Sequence, residues 1–221
     1  MLNQVKLYQI PEILETAGIL EDSILPAYSD SIQNYNERAR QSLGKFQSTN
    51  GQLAGSNPFM LVHLSNSGLL QGARLAERQD LEKAIVYDPE FVKGNWIDFG
   101  IALKTEGDSY KPNDLPARIL AEKLNHKGIS LDSGKLIPFN VLKNSEHDNS
   151  AYGLVFDLND QFEEDSVRDL AEFKWDYARN EGISYAYLNG GRYWNYCYRD
   201  LDNSNGDARV VVVSGEATSK N

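Results

Sequence analysis

The chain is poor in the side chains that make covalent and metal chemistry easy to find: one cysteine, three histidines and two methionines in 221 residues. With Cys197 alone, an internal disulfide and any CxxC metal site are excluded. His63, His126 and His147 share no metal-ligand spacing, and there is no HExxH, no GxSxG and no glycine-rich phosphate loop ending in Lys-Ser or Lys-Thr. Ser42 to Lys45 fits SxxK by letters but falls on a polar stretch away from any expected cleft. No apolar run approaches the ~20 residues of a membrane span, so no membrane partner is expected. No basic segment followed by an apolar run opens the chain, so no signal peptide is expected, and the cytoplasm is the expected compartment. Positive charge is short as well. Lys and Arg number 22 against 32 Asp and Glu, a formal charge of −10. That field repels phosphate backbones, which makes nucleic acid an unlikely partner.

What is present centres on residues 95–129. Ile97, Phe99, Ile101 and Leu103 alternate with Asp98, Gly100, Ala102 and Lys104, the period of two of a strand with one large apolar face. A polar loop follows, and a helix is expected from Asn113 or Asp114. Leu115, Ile119, Leu120 and Leu124 lie at helical spacing, His126 and Lys127 sit in the last turn, and Gly128 supplies a left-handed C-terminal cap with Ile129 packing back on Leu124. Further strands are expected over residues 58–64, 135–142, 152–158, 183–188, 192–198 and 210–213, and further helices over 79–86 and 166–177. Val210 to Val213 is apolar on both faces and therefore expected to be central in its sheet. Strands separated by helices, together with a late hairpin, give an α/β or α+β fold: a mixed β-sheet with packed helices.

An N-terminal helical arm is expected to precede that domain. Pro11 can open a short helix to Ala17. Leu25, Tyr28, Ile32, Tyr35, Ala39, Leu43 and Phe46 form a stripe along a helix of about six turns. Such a stripe packs either on the chain's own domain or on a second copy, so residues 25–46 are a route to a homo-oligomer. The expected division is an arm over 1–46, a polar linker over 47–57, a globular domain over 58–214 and a disordered tail over 215–221.

Two constellations invite a functional reading. Tyr185, Tyr187, Tyr193, Trp194, Tyr196 and Tyr198 fall within fourteen residues around the turn formers Asn189-Gly190-Gly191, with Arg192 among them. If residues 192–198 form a strand, Trp194, Tyr196 and Tyr198 share one face. Tyr and Trp offer large contact area at little rotamer cost, so Tyr185, Tyr187, Arg192, Trp194, Tyr196 and Tyr198 are the candidate ligand-binding residues of a non-catalytic binding protein. Its partner would be a protein or a small polar ligand, and no cofactor is expected. The alternative is a metal-dependent hydrolase. Asp98, Glu106 and Asp108 would then hold a divalent cation beside the strand-loop-helix over 96–124, because hard cations take carboxylate oxygens. Asp98-Phe99-Gly100 matches the kinase metal-binding triplet by letters, but none of the surrounding kinase motifs is present. The acidic stretches over 157–165 and 200–207 fail the positional rules of a calcium loop and read as solvated turns.

Overall fold

Alternation, capping residues and turn formers divide the chain into fourteen strands and five α-helices among the described residues. The computed structural model describes residues 4–10 and 13–217. The chain opens with a hairpin, β1 (Gln4–Ile10) and β2 (Ile13–Ile19), then two short helices, α1 (Leu25–Ser31) and α2 (Glu37–Leu43). A second hairpin, β3 (Gln47–Thr49) and β4 (Gln52–Ala54), leads to α3 (Pro58–Asn66), β5 (Arg74–Leu75) and α4 (Arg78–Tyr87). Next come β6 (Ile97–Leu103), α5 (Lys111–His126), β7 (Lys135–Ile137), β8 (Leu142–Glu146) and β9 (Leu154–Leu158). The last strands are β10 (Arg168–Asp169), β11 (Tyr177–Ala178), β12 (Ile183–Leu188), β13 (Trp194–Tyr198) and β14 (Val211–Ala217).

The larger sheet has the order β10-β7-β6-β12-β13-β11, and the second has the order β1-β2-β14-β5. The larger sheet is mixed, because β11 runs parallel to β13 while its other pairings are antiparallel. Helices pack on it as expected, and its central strands are buried on both faces. Ile101, Leu103, Ile183, Tyr185 and Tyr187 face one core with α3 and α5. Ile97, Phe99, Ala102, Leu136, Ala186, Leu188 and Tyr196 face a second core with Leu81 and Ala84 of α4 and with Ala17, Ile19, Val211 and Val213 of the other sheet. The valines of residues 210–213 divide between the two cores, and β14 lies between β2 and β5, so the expectation of a central strand holds.

The four large side chains of β6 do not share a face. Along the β6–β12 pairing the register slips by one residue between Gly100 and Asp98, a β-bulge. An extra residue reverses the alternation beyond it. Ile97 and Phe99 therefore point to one core, and Ile101 and Leu103 to the other. Gly100 sits at this slip, where an added Cβ would lie 2.8 Å from the carbonyl oxygen of Ile137.

Helix α5 forms as its sequence signals indicate, with two changes. It begins at Lys111, with Pro112 in the first turn, so Asn113 is inside the helix rather than its cap. Its side chain is buried, and its Nδ2 donates to the Ile183 and Arg199 carbonyls while Oδ1 accepts from the Tyr152 hydroxyl at 2.6 Å. A second change is in the stripe: Ala117, Leu120, Ala121 and Leu124 form the buried face, each leucine contributing roughly 2 kcal/mol by burial, while the expected Leu115 and Ile119 are only partly buried and lie outside both cores. Gly128 has φ +80°, and Ile129 N–H donates to the Leu124 carbonyl, closing the cap as expected.

Four expected elements are different. The strand expected over residues 135–142 ends at Ile137, and a 3-10 turn over Phe139–Val141 separates it from β8. Residues 58–64 are not a strand but part of α3, a helix buried on nearly all sides. A uniformly apolar run has no period to separate the two states. The decisive signal is local: the Asn57 side chain accepts from Met60 N–H, and Pro58 occupies the first turn. Residues 166–177 are not a helix. Asp169 and Glu172 close a capping box around a single 3-10 turn, after which the chain runs extended into β11.

Nor is 1–46 a helical arm. Pro11 lies outside the described residues, and residues 4–10 and 13–19 are strands of the second sheet, so no helix reaches Ala17. The stripe over 25–46 survives but is split between two helices: α1 ends at Ser31, and Asn36 opens α2 by accepting from Ala39 N–H. Tyr28, Ile32, Ala39 and Leu43 are buried in the main core, so the face considered for a partner helix is covered by the chain itself. The polar stretch over 47–57 holds the β3–β4 hairpin, and residues 215–217 end β14. Residues 218–221 of the expected tail lie outside the described residues. Among the described residues, no helix is long and apolar enough to cross a membrane.

Candidate binding trough

The aromatic hairpin forms, but its side chains divide between the two faces of the sheet. β12 and β13 pair antiparallel through the loop 189–193, where Asn189 Oδ1 accepts from the N–H groups of Gly191 and Tyr193 and Arg192 takes φ +66°. Tyr185 pairs with Tyr198 but Tyr187 pairs with Asn195, so β13 carries one extra residue there. That bulge turns Tyr198 away from Trp194 and Tyr196, against the expectation of a shared face.

On the inner face, Tyr185 and Tyr187 are buried, and Tyr198 is half-buried beside them. Trp96 stacks on Tyr187 at 5.0 Å and Tyr185 on Tyr198 at 5.5 Å. Asp98 lies against this cluster, its Oδ2 accepting from Ser56 Oγ at 2.8 Å. Burial pushes its carboxyl from 3.8 up to about 7, a rise that the Ser56 hydrogen bond only partly opposes. Burial likewise raises the Tyr185 and Tyr187 phenols, with the neighbouring Asp98 charge adding to the effect. Tyr185 and Tyr187 are packing residues of the core, and Tyr198 packs against its edge.

Asp98, Glu106 and Asp108 do not gather. Asp98 is near the start of β6, and the other two lie beyond its far end, about 20 Å along the strand direction. Glu106 accepts from Asn125 Nδ2, and Asp108 is engaged by Arg179 through two hydrogen bonds of 2.8 and 3.0 Å. Burial raises the Asp108 carboxyl, but the Arg179 guanidinium and the N–H groups of Tyr110 and Ile183 outweigh it and hold the carboxyl below its usual range. Among the described residues no three His, Cys, Asp or Glu side chains are placed to hold a metal ion.

The outer face carries the more distinctive site. Arg78 opens α4 and is only 5% exposed. Its guanidinium carbon lies 4.5 Å from the ring centroids of Phe173, Trp175 and Trp194 alike. Each such contact contributes roughly 0.5–2 kcal/mol. Nε donates to Glu82 Oε1 at 2.8 Å and Nη2 to the Lys174 carbonyl at 2.9 Å, while Nη1 has no hydrogen-bond partner. Burial pulls the guanidinium down from its ordinary value, opposed by Glu82 and Asp176. Trp175 is fixed by donating Nε1–H to the Leu170 carbonyl and by an edge contact with Tyr196 at 4.7 Å. Trp194 N–H donates to Asp176 Oδ2 at 2.7 Å, and Asp176 N–H returns to the Trp194 carbonyl. Above this cage lies an open trough of about 770 Å³, lined by Arg78, Glu172, Phe173, Lys174, Arg192 and Trp194 among others. Tyr177 and Tyr193 stand beside it with rings 6.4 Å apart, 60% and 50% exposed.

No family model, no curated protein and no solved structure matches this chain.

Of the expected binding residues, Arg192 and Trp194 line the trough, whereas Tyr196 is 5% exposed and supports it from beneath. Arg78, Phe173 and Trp175 were not anticipated. Phe173, Trp175 and Tyr177 alternate in the sequence, a period-two signal that a helical reading of 166–177 overrides. A second unanticipated group is Ser31, His63 and Tyr35: Ser31 Oγ is 2.8 Å from His63 Nε2, and the Tyr35 hydroxyl is 3.2 Å from Nδ1. Ser31 donates its proton to the Tyr28 carbonyl at 2.7 Å, so His63 serves it as a donor and not as a base.

Proposed function

We propose that this is a non-catalytic binding protein whose recognition surface is the trough between α4, the loop before β11 and the start of β13. The observation that supports it best is the placement of Trp194, Trp175 and Phe173 around one arginine at the floor of an open depression. Indole and phenyl faces bring contact area without flexibility, and guanidinium, ammonium and carboxylate groups around them fix orientation. A volume of about 770 Å³ falls within the range of small-ligand sites, which favours a small polar ligand over a protein partner. A reducing compartment such as the cytoplasm suits the free Cys197.

The test is a survey of small polar compounds by amide NMR on the labelled protein, repeated with Trp194→Ala. Binding shifts should cluster at residues 172–178 and 192–194, and the variant should bind at least about thirtyfold more weakly, the effect of removing a central aromatic anchor. Trp194 is half-buried, so the variant should stay folded. Shifts that map elsewhere, or unchanged affinity in Trp194→Ala, would overturn the reading.

A further inference from the structure

Asn-Gly occurs three times in the chain, at Asn50-Gly51, Asn189-Gly190 and Asn205-Gly206. The pair is reactive because the backbone nitrogen that follows an asparagine can attack the side-chain Cγ. Glycine leaves that nitrogen unshielded and lets the backbone bend into position. The fold decides the outcome through three things: access to water, freedom of the asparagine side chain, and whether the glycine N–H is already donated.

Two of the pairs are held. Asn189 is half-buried, and its Oδ1 accepts from Gly191 N–H at 2.9 Å and from Tyr193 N–H at 3.0 Å. Gly190 is pressed so closely on the Gly94 backbone that an added Cβ would lie 3.0 Å from it. Asn205 is half-buried too, with Oδ1 accepting from Asp207 N–H at 3.0 Å and its carbonyl from Ala208 N–H at 2.8 Å. The Gly206 carbonyl accepts from Arg209 Nη1 at 2.9 Å. Asn50-Gly51 is different. It is the two-residue turn between the paired Thr49 and Gln52, with φ of +54° and +77°. Both residues are exposed, and a Cβ added to Gly51 would meet nothing within 4 Å. Among the described residues neither the Asn50 side chain nor the Gly51 N–H has a hydrogen-bond partner. Only the Gly51 carbonyl is engaged, accepting from Asp22 N–H at 3.2 Å. Attack needs Asn50 to swing out of its left-handed conformation. The hairpin that must open for this has strands of three residues each and forms a two-stranded sheet of its own. Such ribbons open locally at low cost.

From this contrast we propose that Asn50 is a self-modification site, the position at which the folded protein deamidates. The Gly51 nitrogen gives its proton to base and bonds to Asn50 Cγ. The Cγ–Nδ2 bond breaks, and ammonia leaves with a proton from solvent. Water then opens the cyclic imide at either carbonyl, so the net change is one water consumed and one ammonia released, with no oxidant or cofactor. Opening at Cγ restores the backbone with an aspartyl side chain. Opening at the other carbonyl leaves an isoaspartyl link, which carries the main chain through the side-chain methylene. That product no longer fits the two-residue turn, so the Thr49–Gln52 pairing loosens. Either product adds one negative charge at the hairpin tip.

The test is peptide mass mapping of the full chain over time at mildly alkaline pH, in the folded state and in urea. In urea only the sequence acts, and the three pairs should convert at similar rates. In the folded protein Asn50 should stay within about tenfold of its rate in urea, while Asn189 and Asn205 should convert at least about tenfold more slowly than Asn50. The Asn50 rate should rise with pH, because the Gly51 amide has to lose its proton. Asn50→Ser, at an exposed tip outside both cores, should abolish the main acidic species that ion exchange resolves as the protein ages. Conversion of Asn189 or Asn205 as fast as Asn50 in the folded protein would overturn the proposal. So would an Asn50 rate that folding suppresses as strongly as the other two, or an acidic species that persists in Asn50→Ser.

Discussion

The buried carboxyl of Asp98 makes stability depend on pH in a direction opposite to most carboxylates. In the unfolded chain it titrates near 3.8, and in the fold near 7. Below about pH 4 it is protonated in both states and contributes no difference. Between about pH 4 and 7 the unfolded chain releases the proton while the fold retains it, so stability falls as pH rises. Above 7 the loss is complete. A shift of about 3 units at 1.36 kcal/mol per unit is about 4 kcal/mol. Asp98 is not wholly shielded from solvent, which lowers the expected figure to about 2–4 kcal/mol. Asp98→Asn keeps the shape and an acceptor for Ser56 but carries no titrating proton. It should therefore be more stable than the parent at pH 8 by about 2–4 kcal/mol, with the gain shrinking steadily towards pH 5.5. Urea denaturation of both proteins at intervals across that range gives the difference directly, and the other titrating groups cancel in the subtraction. A gain that does not change with pH, or a loss at pH 8, would refute the reasoning.

Two further predictions concern the other end of β6. Asp108→Ala leaves the Arg179 guanidinium, 8% exposed, without its two-point partner. It should cost about 3–5 kcal/mol, and Asp108→Leu combined with Arg179→Met should cost less than the two single changes summed. A loss under about 1 kcal/mol in urea would show that solvent screens the pair. Gly128 and Gly182 both have positive φ, but an added Cβ meets nothing at the first and would fall 2.1 Å from Asp108 Oδ2 at the second. Gly128→Ala should cost about 1 kcal/mol, and Gly182→Ala at least twice that. Equal melting temperatures would mean that the Asp108 side chain moves aside freely.

What the sequence makes legible is whatever local chemistry decides. Helix α5 has a basic last turn and Gly128, and the fold keeps both together with Leu120 and Leu124 of the expected stripe. β6, β12 and β14 are strands because their β-branched and aromatic runs have no better use. The bulges in β6 and β13 are not written in any such pattern. Each reverses a face, so plain alternation puts the four apolar side chains of β6, and Tyr198 with Trp194 and Tyr196, on one side where the fold separates them. The loop before β11 fails for a tertiary reason. Val167, Leu170, Ala171, Trp175 and Ala178 do fit a helix, but Phe173 and Trp175 close around Arg78, nearly a hundred residues earlier, and that contact wins over the local period. A smaller part of the candidate site is legible on the same principle. Trp194 and Arg192 were visible beside their turn, whereas Arg78 is an ordinary helix residue until its three rings are assembled around it.

The two-faced burial of β6 has a consequence for how the molecule comes apart. Because the strand gives side chains to both cores, as β12 and β14 also do, it belongs to neither layer alone. Detaching the layer of α4 and the smaller sheet would strip apolar side chains from the strands that also hold the helical layer in place. Loss of either layer therefore weakens the other, and cooperativity passes through the middle of the larger sheet.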